Sequence, residues 1–302
     1  MKLIRLQAYN EVMNAGTVTE ASRRLKCSQP RVSRLISELE EEIGFPLFTR
    51  EKQRLVPTAE GKLFYQETES ILLGIDDIGR IAEDIYHNRE TCLRVLSQSH
   101  LAHGLIHHAI GAFEKKTEGI RYYLEIRPRE ELAQWLGGHQ FDLAFSPLPA
   151  KYPLVRHEQL ISVKLLVAMH KSHPLSAKNY ITVQDLNTGP IIALTRGMIM
   201  RQRLDDLFHE TGLIPTIRIE TPTVLSACQL ALQGLGITLT DPFIANVFDC
   251  KDLIVRPLAP NYKITYGVLY LRQTPPRPLA RQFIEVTRLV AQEIAVKQAA
   301  LY

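Results

Sequence analysis

Thr17-Val18-Thr19-Glu20-Ala21-Ser22-Arg23-Arg24-Leu25-Lys26-Cys27-Ser28-Gln29-Pro30-Arg31-Val32-Ser33-Arg34 is the stretch that decides how the chain begins to fold. Thr17 with Glu20 three residues on spells a capping box, in which each side chain satisfies a backbone N–H that a helix start leaves free. Val18, Ala21 and Leu25 then make one apolar stripe, broken at Lys26-Cys27-Ser28. A further helix opens at Gln29. Ser28 suits its N-cap, and Pro30 falls in the first turn, where its missing N–H is not needed. Val32, Leu35 with Ile36, Leu39 and Ile43 face inward, and Gly44 ends the helix. Two such helices separated by about three residues have the proportions of a helix-turn-helix.

The flanks extend this reading. Leu6, Tyr9 and Met13 mark a preceding helix stopped by Gly16. Leu47–Arg50 and Arg54–Val56, joined by Glu51-Lys52-Gln53, predict a small hairpin, the wing of a winged helix, and Pro57 ends it. From Thr58 to Asn88 the pattern is helical. Ile71, Ile75, Ile78, Ala82 and Ile85 recur at spacings of 4, 3, 4 and 3, a heptad seam. That seam predicts dimerisation with a second copy of the chain; the alternative is a long helix packed on its own domain.

After Thr91 strands and helices alternate. Cys92–Gln98, Ile120–Ile126, Phe141–Phe145, Ile191–Leu194, Thr216–Ile219 and Ile237–Thr240 read as strands. Gly104–Lys116, Glu130–Leu136, Met198–Glu210, Val224–Gln233 and Leu279–Leu301 read as helices. This order predicts parallel sheets built from βαβ units. Two helix-free apolar stretches, Gln159–Met169 and Lys263–Leu271, look like crossings between two lobes. The expected organisation is therefore 1–58, a winged helix-turn-helix; 59–90, a linker and dimerisation helix; and 91–302, a two-lobed α/β region. Within the last, lobe I takes 91–161 plus 267–302 and lobe II 162–266.

Composition excludes several classes. The 302 residues are 45% hydrophobic and 23% charged, with a net charge of +4, which divides into +2 for residues 1–60, −4 for 61–90 and +6 for the rest. Cys27, Cys92, Cys228 and Cys250 stand far apart, without zinc spacing or a disulfide framework. No apolar run reaches the ~18–20 residues of a membrane span, and the N-terminus lacks the apolar core of a signal peptide. A cytoplasmic protein is expected. No G-x-S-x-G elbow, P-loop or G-x-G-x-x-G is present, so an enzyme is disfavoured and no cofactor is expected. His100, His103 and His107 could share a helix face, and Cys228 could pair with Cys250; a metal- or redox-responsive protein is therefore the alternative. Uncoordinated histidines and an inert core thiol are the plainer reading, with no metal site.

The chemistry of the third helix is polar along its length. Ser28, Gln29, Pro30, Arg31, Ser33 and Arg34 crowd its N-terminal end, while Glu38, Glu40, Glu41 and Glu42 lie at the other. A helix that enters the major groove needs this arrangement, with donors towards the bases and carboxylates away from phosphates. Arg31 or Arg34 can take guanine O6 and N7 bidentately, and Gln29 can read adenine. Arg50, Lys52 and Arg54 on the hairpin can reach phosphates or the minor groove. Ordinary solvated charge is the competing reading for each alone; cap, turn, polarity and wing in order favour DNA.

Ala21-Ser22-Arg23-Arg24-Leu25, Ser28-Gln29-Pro30-Arg31-Val32-Ser33-Arg34, Leu39-Glu40, Gly44, Leu47-Phe48 with Arg50, and Pro57-Thr58-Ala59-Glu60-Gly61 resemble the N-terminal signature of the LysR-type transcriptional regulators. The usual Ala-Ala pair of the second helix is Ala21-Ser22 here. The order and length of the remainder are similar to that family throughout. The resemblance implies a two-lobed effector domain of periplasmic-binding-protein type and a dimer, commonly assembled into a tetramer. It also implies a near-palindromic double-stranded DNA site upstream of the regulated genes and a small co-inducer that alters DNA bending. RNA polymerase is a further candidate partner.

The effector cleft is expected where strands end and helices begin. Strand ends name Ser97-Gln98-Ser99-His100-Leu101, Arg129-Glu130, Ser146, Thr195-Arg196-Gly197, Thr221 and Asp241. The family's effector residues map onto Ser97–Leu101, Arg129 and the loop around Thr195–Gly197. An arginine at such a loop can clamp a carboxylate. Glu130 and Asp241 would then suit an amine, so an amino acid or amino-acid conjugate is the expected ligand. The N-terminal region is somewhat more similar to members that sense diaminopimelate or opines than to those sensing aromatic acids.

Overall fold

A computed structural model describes residues 2–51, 54–76, 91–132, 136, 141–150, 152, 154–248 and 251–300. The chain divides into two units, Met1–His87 with Gly138–Gln140 and Asn88–Gly137 with Phe141–Tyr302. Lys52, Ile78, Ala82, Ile85 and Cys250 lie outside the described residues, as do the side chains of Arg50, Arg54, Ile71, Ile75 and Glu130.

In the N-terminal unit, α1 (Leu3–Ala15), α2 (Val18–Arg24) and α3 (Gln29–Ile43) precede an antiparallel hairpin of β1 (Phe48–Glu51) and β2 (Arg54–Pro57), then α4 (Ala59–Asp76). Ala8, Val12, Ala21, Val32 and Ile36 form one buried cluster; Leu6, Tyr9, Leu39 and Leu47 form a second. Leu6, Tyr9, Ala21, Val32, Ile36 and Leu39 belong to the stripes predicted for the three helices; Ala8 and Val12 of α1 and Leu47 before the hairpin join them, while Met13, Val18, Leu25, Leu35 and Ile43 are only partly buried. Tyr9 anchors the second cluster, its ring against Phe48, Phe64 and Tyr65 and its hydroxyl donating to the Gly61 carbonyl. Gly44 ends α3 at φ +84°, a left-handed conformation that glycine adopts without Cβ strain.

Two capping expectations change. Thr17 accepts from the Glu20 N–H, but the Glu20 carboxylate holds Arg23 and Arg24 instead of closing the box. Two guanidiniums within reach compete better for it than one exposed amide. Ser28 sits at the α3 N-cap without a side-chain hydrogen bond to the helix, so its hydroxyl is left available.

The second unit holds three sheets, one in lobe I and two in lobe II. In lobe I the order is β4-β3-β5-β12-β6, built from β3 (Cys92–Ser97), β4 (Arg121–Ile126), β5 (Leu143–Pro147), β6 (Val155–Lys164) and β12 (Lys263–Leu271). Only β3, β4 and β5 follow the parallel βαβ expectation; β12 runs antiparallel to both β5 and β6. Its direction follows from its path: β12 re-enters lobe I from lobe II, where the chain has turned round. The chain leaves this sheet after Lys164 and returns at Lys263, a few residues from the expected 161/162 and 266/267 crossings.

Lobe II has β7 (Leu166–His170) between β10 (Thr238–Thr240) and β11 (Leu253–Pro257), and a parallel pair β8 (Ile191–Leu194) and β9 (Ile217–Thr221). Helices α6 (Val183–Leu186), α7 (Ile199–Thr211), α8 (Val224–Leu232) and α9 (Pro242–Val247) connect them. The final helix α10 (Pro278–Ala299) buries Phe283, Ile284, Val290 and Ile294.

The helix after β3 corrects its expected start at Gly104. It begins at Ser99 and runs through Ser99–Leu101, a π-helical stretch Ala102–Ile106 and His107–Glu114, together α5. Gly104 sits in the π stretch because a Cβ there would lie 2.5 Å from the Phe243 carbonyl oxygen of α9. The widened turn and the missing side chain let a lobe II helix dock on a lobe I helix.

Candidate functional site

The first candidate surface is the N-terminal end of α3. Ser28, Gln29, Pro30, Arg31, Ser33 and Arg34 are all exposed, while Val32, Ile36 and Leu39 on the opposite side are buried. Helical spacing alone separates these two faces. Lys26, in the α2–α3 turn, is exposed and held at φ +51°, which the sequence reading passed over. The far-end glutamates are not idle charge. Glu40 Oε1 accepts from the Leu47 and Phe48 N–H groups at 2.7 and 3.1 Å, fixing the base of the hairpin. Glu38 and Glu42 hold Arg5 of α1.

The second candidate is a cleft of about 270 Å³ between the lobes. Lobe I contributes Gln98, Ser99 and His100 from the start of α5, Ile126 to Arg129 after β4, Pro147 and Ile264. Lobe II contributes Leu194, Gly197 to Met200, and Pro222 to Val224. The walls are mainly apolar, and among the described residues the lining carries two arginines, Arg127 and Arg129, and no carboxylate. Helix starts supply the rest of the field. Neither α5, entered from Gln98, nor α7, entered from Met198, has a side-chain cap. Uncapped N–H groups and the positive end of the helix dipole therefore meet the cleft from both lobes. At α8 the Thr223 hydroxyl already takes the Ser226 N–H.

His100 is half-buried, its ring 5.6 Å from that of Tyr266. Burial holds the imidazole below its ordinary pKa, and Asp241 pulls weakly the other way. Arg129 donates to the Pro149 carbonyl, and its own carbonyl accepts from the Tyr152 hydroxyl at 2.9 Å. The arginine is thus placed by two contacts outside the cleft.

An exposed polar helix face on a winged unit and a largely apolar cleft carrying two arginines in a two-lobed α/β unit agree with what the family comparisons find. Residues 3–62 match the bacterial regulatory helix-turn-helix protein model of the lysR family, and residues 88–292 match the LysR substrate binding domain. The chain belongs to the LysR family.

This LysR-type regulator is 28% identical over 279 residues to Regulatory protein NocR of Agrobacterium tumefaciens (strain T37), covering 92% of this chain and 93% of that protein. It is 26% identical over 263 residues to the octopine catabolism/uptake operon regulatory protein OccR of Rhizobium meliloti, covering 86% of each. Its fold is similar to that of full-length CbnR, solved in complex with its target DNA, with a TM-score of 0.71 at 20% identity over 96% of this chain and 100% of that one. The protein is a DNA-binding, ligand-responsive transcriptional regulator and not an enzyme. No helix among the described residues is long and apolar enough to cross a membrane.

Of the effector residues expected from the sequence, the regulator brings Gln98, Ser99, His100, Arg129 and Gly197 to the cleft. Thr195 and the exposed Arg196 flank Gly197 without lining it. Ser97, Leu101, Ser146 and Thr221 are corrections. All four are buried and none lines the cleft: β3 and β5 are covered on both faces, Thr221 closes β9, and Leu101 packs into the core from the first turn of α5. Asp241 is a further correction. It is fully buried and caps α9, accepting from Phe243 N–H (2.7 Å) and Ile244 N–H (3.1 Å), while its other oxygen accepts from Tyr266 (2.6 Å). A carboxylate so occupied has no room for a ligand amine.

The sequence reading missed Arg127 and the lobe II wall of Met198, Met200, Pro222 and Val224. Thr223, a good N-cap just after a strand, was the available signal for the last of these.

The metal and redox alternative finds no support in the described residues. His100 lies against Tyr266, His103 donates to the Ser99 carbonyl (2.7 Å), and His107 packs on His103. No group of three or more His, Cys, Asp or Glu among the described residues is placed to hold a metal. Cys228 is buried, hydrogen-bonded to the Thr240 hydroxyl at 3.5 Å, and burial pushes its thiol up to about 12. Such a thiol is unreactive at neutral pH.

Proposed function

We propose that this regulator senses a small carboxylate with an apolar body, of the amino-acid or amino-acid-conjugate class. The observation that carries this reading is the meeting of two uncapped helix starts, from α5 and α7, with Arg127 and Arg129 in one largely apolar cleft. Such a site favours an anionic group at one end and hydrophobic contact along the rest. The octopine operon regulator among its relatives supports a conjugate, since octopine is one. Asp241 is engaged in a cap, so the proposal stands on the anionic group of the ligand.

On the DNA side the proposed readers are Ser28, Gln29, Pro30, Arg31, Ser33 and Arg34, with Arg50, Lys52 and Arg54 of the wing on the backbone. Residues 1–58 would bind a near-palindromic upstream site, and 59–90 would dimerise through Ile71, Ile75, Ile78, Ala82 and Ile85. Residues 91–302 would take the effector, with tetramer formation and contact with RNA polymerase completing a cytoplasmic regulator.

A thermal-shift panel of amino acids, opine-like conjugates, and simple and aromatic carboxylates tests the ligand class. A ligand at a hundredfold over its Kd adds about 2.7 kcal/mol, a readable rise in the midpoint. The proposal expects the rise from amino-acid conjugates. A rise from aromatic acids alone would replace that class, and a rise from neutral compounds alone would overturn the anion site.

A further inference from the structure

Arg34 stands on the outer face of α3 with its side chain 81% exposed, and it donates Nε to Glu38 Oε1 at 2.9 Å. Its two terminal nitrogens make no hydrogen bond or ion pair among the described residues. The other carboxylate oxygen of Glu38 is taken by Arg5, through Nε at 3.1 Å and Nη2 at 3.0 Å. Arg5 is in turn mostly covered, at 18% exposure, and also donates to Glu42 at 2.6 Å. Glu38 thus joins α1 to the outer face of α3, one oxygen for each arginine.

This arrangement differs from an ordinary surface pair. An exposed bridge four residues apart is worth little, because two long side chains must be ordered to form it. Here the acceptor is already fixed by Arg5, so only Arg34 loses freedom. Binding through Nε also settles which edge of the guanidinium is left over. The remaining Nη1 and Nη2 are the pair that meets guanine O6 and N7 in the major groove. The hydrogen bond to Arg34 is the main cause that keeps the Glu38 carboxyl below the usual carboxylate range, so it stays ionised at neutral pH. Two guanidiniums neutralise it, which explains how a carboxylate is tolerated near a groove walled by phosphates.

We infer that Glu38 is a positioning residue for base recognition, holding the Nε edge of Arg34 so that its terminal nitrogens face a guanine as a preformed fork. The inference rests on the proposed reading of Arg34 as a base-contacting residue, and it adds a specificity role for a side chain that itself touches no base.

The test is selection from a randomised duplex library with the full-length protein, followed by affinity measurements on single-base variants of the selected site. Arg34→Ala should remove guanine preference at one position, a loss of roughly tenfold in relative affinity. Glu38→Ala should weaken the same preference about threefold to tenfold and leave other positions alone. Glu38→Gln, whose amide oxygen still accepts from Nε, should retain most of it. Adding Glu38→Ala to Arg34→Ala should change nothing more. Arg5 keeps Glu42 in each variant, and matching thermal midpoints confirm the fold. Unchanged guanine preference in Glu38→Ala, or an even loss across all sequences, overturns the positioning role while Arg34 stands. Unchanged preference in Arg34→Ala removes the underlying reading, and the inference with it.

Discussion

The N-terminal unit shows its proposed functional residues on the outside of one helix, whereas the regulatory unit assembles its cleft from separated segments of two lobes. Ser28, Gln29, Arg31, Ser33 and Arg34 lie within two turns of α3, and all are exposed. Ser99, Arg129, Gly197 and Val224 meet at the cleft although more than a hundred residues separate the first from the last. A helix face follows from local spacing, but a cleft depends on which strand ends two sheets bring together. The contrast also separates roles. On α3, solvent exposure marks the residues offered to a partner; around the cleft, several polar residues are buried and serve the fold.

The largest expected effect tests that distinction at Asp241. Its caps on α9 and its bond to Tyr266 predict that Asp241→Ala lowers stability by about 2–4 kcal/mol, read as a fall in thermal midpoint. A variant of unchanged stability that no longer binds acids would return Asp241 to the ligand site and break the comparison.

Next in size is a crossed pair of substitutions. Arg129→Ala should weaken acid binding about tenfold to a hundredfold by calorimetry, the worth of one hydrogen-bonded charge. It should leave the DNA preference intact. Arg31→Ala should cost ~1–3 kcal/mol in DNA affinity at one base position and leave acid binding unchanged in the absence of DNA. If Arg129→Ala altered base preference, the two surfaces would not be separable as described.

The smallest effect is in pH. Burial holds His100, His107 and His173 below the ordinary histidine value. Below about pH 6.5 the unfolded chain therefore binds more protons than the folded one, and stability falls as pH drops from there towards the folded values. Urea unfolding at stepped pH should show this slope, and His100→Gln should flatten part of it. An unchanged slope would mean that His100 is solvated in the cleft.

The same contrast explains how much could be read from the sequence. The three helices and their core faces were legible, since Val32, Ile36 and Leu39 recur at helical spacing and Gly16 and Gly44 stop the chain. The start of α5 was not, because the π-helical stretch at Ala102–Ile106 inserts a residue into the turn and breaks that spacing. Gly104 looked like a helix boundary, yet it is a contact point for Phe243. Strand ends identified Gln98, Ser99, Arg129 and Gly197, but burial of the inner strands on both faces and of the first turn of α5 decided against Ser97, Ser146 and Leu101. The lobe II wall escaped because nothing local states which helix starts face lobe I.

The central claim is that the cleft is built for an anion. Its most direct measurement is a calorimetric titration of the regulator with an apolar amino-acid-derived acid from the thermal-shift panel, beside the matching primary carboxamide. The two ligands share shape and apolar surface and differ in charge. The account predicts that the acid binds and that the amide binds at least about tenfold more weakly, since it loses charge-assisted hydrogen bonds to arginine and helix-start amides. Equal affinity for acid and amide would contradict it, leaving apolar contact as the whole basis of recognition.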